Sequence, residues 1–382
     1  MDLSNVRIRE HFGIASNDTH TGQFSFLVSP PKNRASVEKQ DYVLVDHPLL
    51  GEACQILAVI KEITSYEEVA GSTIGDKMGK MLATAEIVGY IDLRNELRPL
   101  CKVLVPPNPG CRVYVPLTKF LEDALNRNAK GEAFKTPIQI GMLEASTAEQ
   151  TENNGRIKCY VDAQELTSKH TLIAATTGAG KTHLAKVLIM EMAGKTSNPI
   201  VVFDSYGEYA SHLSNSIQAA IINAKSEKTA KNPEKEYLAK EIKQGQITIL
   251  NAQGLTPEEK RTFYIESLKS LLKLRNEEKV KPLFLLIEEA ENLKGETLDQ
   301  VVAEGRKNGL SACLLTTHPT ELGGKILSQM GNQIIGKTTD KDDIEYLANL
   351  TGSANGSLSS LAVGEWIING INANRPMKVQ LK

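Results

Sequence analysis

The chain is short of the residues that mark several common functions. Only five of its 382 residues are cysteine, and Cys54, Cys101, Cys111, Cys159 and Cys313 form no CxxC pair. That removes the zinc-ribbon spacing and predicts reduced, structural thiols in an intracellular setting. No apolar run reaches the length of a membrane span, and residues 1–7 lack the hydrophobic centre of a secretory leader. A soluble, cytoplasmic protein without membrane association is therefore expected. Charge of one sign is also scarce: the formal net charge is -2, so no global positive field advertises nucleic acid, and binding it would need a locally basic channel in an assembly. With 41% apolar and 24% charged residues, the composition is globular, and the length suits two or three domains with a substantial core.

What is present is concentrated in one stretch. The apolar run 171–174 leads into Ala175-Thr176-Thr177-Gly178-Ala179-Gly180-Lys181-Thr182, and helical spacing follows at Leu184, Val187, Leu188 and Met192. This is the order strand, phosphate loop, helix N-terminus. Gly178 and Gly180 let successive backbone N–H groups converge on phosphate oxygens. Lys181 supplies a mobile charge for the outer phosphates, and the Thr182 hydroxyl is placed to hold magnesium. The candidate nucleotide-binding set is thus Thr177, Gly178, Ala179, Gly180, Lys181, Thr182 and His183. Ala175 stands where the usual pattern has its first glycine, which a backbone at negative φ tolerates.

A second landmark lies at 282–291, where an apolar strand delivers Glu288 and Glu289 to its carboxyl end. The first acid can organise magnesium or its waters, and the second can orient or deprotonate an attacking water. Another buried strand, 199–203, ends at Asp204, which either serves the nucleotide site or caps the helix after it. Arg306 is either a charge completing a neighbouring active site or an ordinary cation at a helix end. His318, just past strand 311–317, either senses the outer phosphate or is a bystander histidine.

The other elements follow from periodicity. Short runs at 23–28, 41–45, 54–63, 84–91 and 101–105 predict a small β barrel or sandwich without chemistry of its own. A glycine-rich stretch, 71–80, reads as a mobile loop projecting from it. A short helix is expected at 116–125, a polar linker at 126–137, and two edge strands at 138–141 and 157–161 around an exposed segment, 146–155. Residues 218–245 read as helix and loop on a solvated face. A long helix is expected at 257–276, further helices at 321–330 and 340–350, and a flexible interruption at 352–356 before closing strands within 361–381. The domains are placed at 1–125 and 126–382.

With these landmarks in place, the chain resembles the HerA family of archaeal and bacterial ATPases, within the larger HerA and FtsK group of P-loop motors. The likeness covers nearly the whole length. It rests on the phosphate loop, the Asp204-Ser205-Tyr206-Gly207-Glu208-Tyr209 stretch, the acidic strand end 287–290, the segment Glu304-Gly305-Arg306-Lys307-Asn308-Gly309, and Gly364-Glu365-Trp366 with Arg375-Pro376 beyond. The resemblance implies an N-terminal barrel, a RecA-like α/β P-loop ATPase domain, and a ring of six subunits with double-stranded DNA through its channel. It implies ATP and Mg2+ held by Lys181, Thr182 and Glu288, with Glu289 as catalytic base. His318 matches the family's post-strand polar sensor, Arg306 an arginine finger acting on a neighbour, and Arg375 a second approach to a neighbour's nucleotide. It also implies ATP-driven DNA translocation or unwinding in DNA end processing beside a NurA-like nuclease. Glu288 replaces the usual aspartate and His318 the usual glutamine. Two rival readings are a DNA-pumping ATPase of viral or conjugative type and an ATP-controlled assembly scaffold.

Overall fold

The computed structural model describes residues 3–7, 11–28, 38–66, 80–97, 99–128, 130–143, 156–213, 219–224, 235–242, 246–351, 355–370 and 376–381. The chain divides into two compact units. One comprises residues 1–134, 142–159 and 372–375, the other 135–141, 160–371 and 376–382.

The first unit is built on β1 (Gly13–Thr19), β2 (Gln23–Val28), β3 (Tyr42–His47), β4 (Gly51–Tyr66), β5 (Lys80–Asp92), β6 (Leu100–Cys101) and β7 (Arg112–Tyr114). Its antiparallel sheet runs β2-β1-β7-β3-β4-β5, and β2 pairs back onto β5. That last pairing closes six strands into a barrel rather than a sandwich and leaves β6 on the outer flank of β5. The two-residue period of strands explains the filling: Phe24, Phe26, Val43, Val45, Ile56, Ala58 and Ile60 all turn inward. Register shifts between Leu57 and Ala58 and between Ile60 and Glu62 bend the long β4–β5 pair around the barrel. The run expected as a strand at 101–105 pairs only at Leu100 and Cys101, because the ladder ends where β5 bulges past Gly89. Of the expected loop 71–80, residues 71–79 lie outside the described residues and Lys80 opens β5; the expected segment 146–155 lies outside them as well.

The larger sheet contains β8 (Pro137–Leu143), β9 (Ile157–Asp162), β10 (Thr171–Ala174), β11 (Ile200–Asp204), β12 (Ala219–Asn223), β13 (Ile247–Asn251), β14 (Leu283–Ile287), β15 (Leu310–Thr316), β16 (Asn332–Ile335), β17 (Glu365–Asn369) and β18 (Met377–Leu381). Their order is β12-β13-β11-β14-β15-β10-β16-β17-β18-β8-β9. The first seven are parallel, and β17 and β18 are antiparallel. The parallel strands are almost continuously apolar because helices cover them on both faces. The 20-residue helix Pro257–Asn276 starts on a capping box, with Thr256 and Glu259 exchanging side-chain-to-backbone bonds. It buries Phe263, Leu268, Leu271 and Leu272. Since parallel strands share direction, β10, β11, β14 and β15 all release their chains at one edge, where ligands bind in such sheets. β15 lies between β10 and β14.

Two segments differ from what their sequence predicts. Residues 219–223 form the edge strand β12, paired with β13, and not part of a helix; Ala219 and Ala220 gave the run a helical look that the sheet edge overrides. The expected helix 321–330 is a 3-10 turn, Pro319–Leu322, and a short helix, Gly324–Leu327. Gly323 at φ 83° breaks it between them. Among the described residues no helix is long and apolar enough to cross a membrane.

Candidate functional site

The strand β10 ends directly in the small-residue loop, and the helix Lys181–Met192 opens from it. Gly178 at φ 81° and Gly180 at φ 103° take the left-handed conformation that lets the loop curl around its own centre. Ala175 does not take a positive φ, so its methyl group is tolerated. The methyl lies against the floor of the loop, where a Cβ on Gly336 would come within 3.0 Å of it and within 2.9 Å of the Trp366 ring. The single tryptophan is fully buried in that floor, and the Gly364 N–H donates to the Ala179 carbonyl at 3.4 Å. Lys181 Nζ donates to the carbonyls of Ala175 (2.6 Å) and Thr176 (3.2 Å). Burial lowers the ionisation of this amine, and Glu291, Glu288 and Glu289 oppose that effect.

Opposite the loop, β14 delivers the acids. Thr182 Oγ1 donates to Glu288 Oε1 at 3.2 Å, joining the helix start to the end of β14. The second Glu288 oxygen is buried without a partner. Glu288 is 9% exposed, and its carboxyl is pushed up to about 7, first by burial and then by Asp204. Glu289 follows at φ 51° and ψ 48°, a strained conformation for a residue with a side chain. Its Oε1 accepts from the Tyr206 hydroxyl at 2.6 Å and its Oε2 from Asn292 Nδ2 at 3.3 Å. Glu291 Oε1 accepts from the Thr317 N–H at 3.3 Å, and its Oε2 is buried and unpartnered. Loop, acids and the end of β15 line a cleft of about 500 Å³.

The sequence profile described as "Helicase HerA, central domain" matches residues 138–227. A probable helicase of Methanocaldococcus jannaschii is 24% identical over 85% of this chain and 83% of its own length. The DNA double-strand break repair helicase HerA of Pyrococcus furiosus is 32% identical over 53% of this chain and 35% of its own. Among solved structures, VirB4 of Thermoanaerobacter pseudethanolicus aligns at a TM-score of 0.47 and 13% identity, over 65% of this chain and 96% of that one. The similarity is thus to HerA-type helicases, strongest over the residues around the glycine loop.

The chain spans most of the M. jannaschii relative but only about a third of P. furiosus HerA. In this P-loop chain the cleft gathers Thr177, Gly178, Gly180, Lys181, Thr182, His183, Glu288 and Glu289. Ala179, in the same loop, is 3% exposed, and its carbonyl accepts from the Gly364 N–H. Asp204 is not brought into the cleft. It is fully buried, and its two oxygens accept four backbone N–H groups, from Gly207, Glu208, Tyr209 and Ala210. Of the two roles open to it, the structure gives it the helix cap. His318 also turns away, lying 3.4 Å from Asp343 Oδ2, while Thr316 and Thr317 present the end of β15 to the cleft. Arg306 is exposed in the turn before β15, at the opposite end of that strand from the cleft. Arg375 lies outside the described residues.

Polar cleft residues missed in sequence include Tyr206, Glu208, Glu291 and Thr317. Their signal was position, since each follows within a few residues of a buried strand's carboxyl end. The residues suit a magnesium-bound nucleotide. Among the described residues no group of three or more His, Cys, Asp or Glu forms a metal cage. One hydroxyl and one carboxylate with a spare buried oxygen is instead the sparse protein contribution that magnesium takes when phosphates and water complete its shell.

Proposed function

We propose that this chain is an ATP-dependent DNA translocase or helicase of the HerA type. In this reading it works as a homo-hexameric ring on double-stranded DNA, in DNA end processing with a NurA-like nuclease. The observation that carries the enzymatic part is the 3.2 Å contact between Thr182 and Glu288, which joins phosphate loop and acid pair in one cleft. The DNA part is supported by the relatives' names, helicase and double-strand break repair helicase.

The chain's groups divide the work of phosphoryl transfer. Thr182 and Glu288 would hold a Mg2+ ion, which when bound would neutralise charge on the outer phosphates. The loop 177–180 and the first turn of its helix direct backbone N–H groups at phosphate oxygens. Lys181 exchanges its bonds to the Ala175 and Thr176 carbonyls for the outer phosphates. Glu289 accepts the proton of the attacking water at a carboxylate oxygen. Thr317 stands at the sensor position, since it is Thr317 and not His318 that faces the cleft. Arg306, remote from its own loop, serves a neighbour's cleft.

Phosphate release with and without double-stranded DNA tests the reading, run beside a mass measurement with and without ATP. DNA-stimulated turnover in a six-subunit assembly is expected. Turnover indifferent to DNA in a protein that stays monomeric would leave the ATPase and remove the motor.

A further inference from the structure

A second cleft, of about 400 Å³, lies behind the acid pair and is lined by Ser205, Tyr206, Lys260, Tyr264 and Asn292 among others. Tyr206, Glu288 and Glu289 line both clefts, so they stand as the wall between them. Tyr206 is 52% exposed and does not contribute to a core. Its ring lies under the Lys260 ammonium, 4.5 Å from nitrogen to centroid, and its hydroxyl makes the 2.6 Å bond to Glu289. At that length a neutral O–H donating to a carboxylate is among the stronger hydrogen bonds available to a side chain.

The geometry points to Tyr206 as a positioning residue that restrains Glu289, an inference resting on the proposed ATPase reading. Three observations converge on it. Both carboxylate oxygens of Glu289 are engaged by protein donors, Tyr206 on one and Asn292 on the other. The Glu289 backbone is held in the left-handed region, which persists only where surrounding contacts over-determine it. Lys181 is likewise turned onto its own loop, so the cation and the base each bond to protein groups. The hydroxyl remains a donor throughout the working range, because the bond to Glu289 pushes its ionisation up to about 12. Each carboxylate oxygen has two lone pairs, so an attacking water shares Glu289 with the Tyr206 donor, and release of that donor frees the oxygen to turn fully toward the water. That release is a step the second cleft's lining can control.

Tyr206→Phe removes the hydroxyl while keeping the ring and its contact with Lys260. It is expected to raise kcat without DNA roughly three- to tenfold, on the scale of one hydrogen bond lost at a half-exposed site where water replaces part of it. Affinity for a non-hydrolysable ATP analogue and the melting temperature stay unchanged. Glu289→Gln and the double variant Tyr206→Phe/Glu289→Gln both bind the analogue and do not hydrolyse ATP, which assigns any gain to Glu289. A Tyr206→Phe kcat equal to or below wild type, with wild type active and Glu289→Gln inactive, would overturn the restraint and leave the ATPase reading intact. Wild-type turnover persisting in Glu289→Gln would instead remove Glu289 as the base and the restraint with it, whereas a wild type that does not hydrolyse ATP would remove the ATPase reading.

Discussion

Burial of the Glu288 carboxyl costs the fold stability that the proposed magnesium site accounts for, and Glu288→Gln measures how much. The carboxyl is 9% exposed, one of its oxygens has no partner, and its ionisation is moved from 4.5 to about 7. A raised carboxyl means that the folded chain holds a proton the unfolded chain has released. Stability is therefore fullest below pH 4.5 and falls as pH rises toward 7. Each pKa unit is worth about 1.4 kcal/mol, so ionising Glu288 costs the folded state about 3 kcal/mol at pH 8 and about 1 kcal/mol at pH 5. Glutamine keeps an acceptor for Thr182 and cannot ionise. Any penalty from its buried amide is the same at every pH, so the change across pH carries the result. For a domain of this size 1 kcal/mol moves the melting temperature by roughly 2–4 °C. Melted without metal or nucleotide, the variant should gain about 5 °C more over wild type at pH 8 than at pH 5. With Mg2+ and an ATP analogue the order should reverse, because only the carboxylate can hold the ion. A difference that is flat with pH, or larger at pH 5, refutes the account of a carboxyl strained by burial.

Two further outcomes follow from the same geometry. Asp204→Ala leaves four backbone N–H groups of one helix start without their acceptor, so chemical denaturation should report a loss of about 3 kcal/mol or more. A loss under 1 kcal/mol would contradict the capping role. Arg306→Ala should bind the ATP analogue normally yet lose at least about tenfold in kcat, on the scale of an arginine finger. Mixing it with Glu289→Gln should restore part of the turnover, since one variant supplies the intact cleft and the other the arginine. No recovery in mixed assemblies would sink the action across subunits.

The parts of the site legible in the sequence were those written in a few consecutive residues. The loop 175–182 and the acids after β14 each carry their signal locally, and strand order then joins them at Thr182 and Glu288. What the sequence left open turned on directions and tertiary partners. Asp204 had two roles until four N–H groups were seen to use up its oxygens. Nothing in the order Thr316-Thr317-His318 says that the chain twists past β15 so that Thr317 enters the cleft while His318 faces Asp343. The bond between Tyr206 and Glu289 spans 83 positions and has no local signature. The same division runs through the fold. The helix Pro257–Asn276 was readable to its ends because proline, cap and apolar period agree, whereas the barrel became distinct from a sandwich only through the pairing of β2 with β5.

The proposed function requires that one magnesium–triphosphate complex be held between the glycine loop and Glu288. Calorimetric titration of an ATP analogue into the nucleotide-free chain tests this directly, run with Mg2+, with excess chelator, and on Lys181→Ala. One site per chain is predicted with Mg2+, weakened at least about tenfold by the chelator and again by removal of the lysine. Binding of equal strength under all three conditions would put the nucleotide somewhere else and contradict the account.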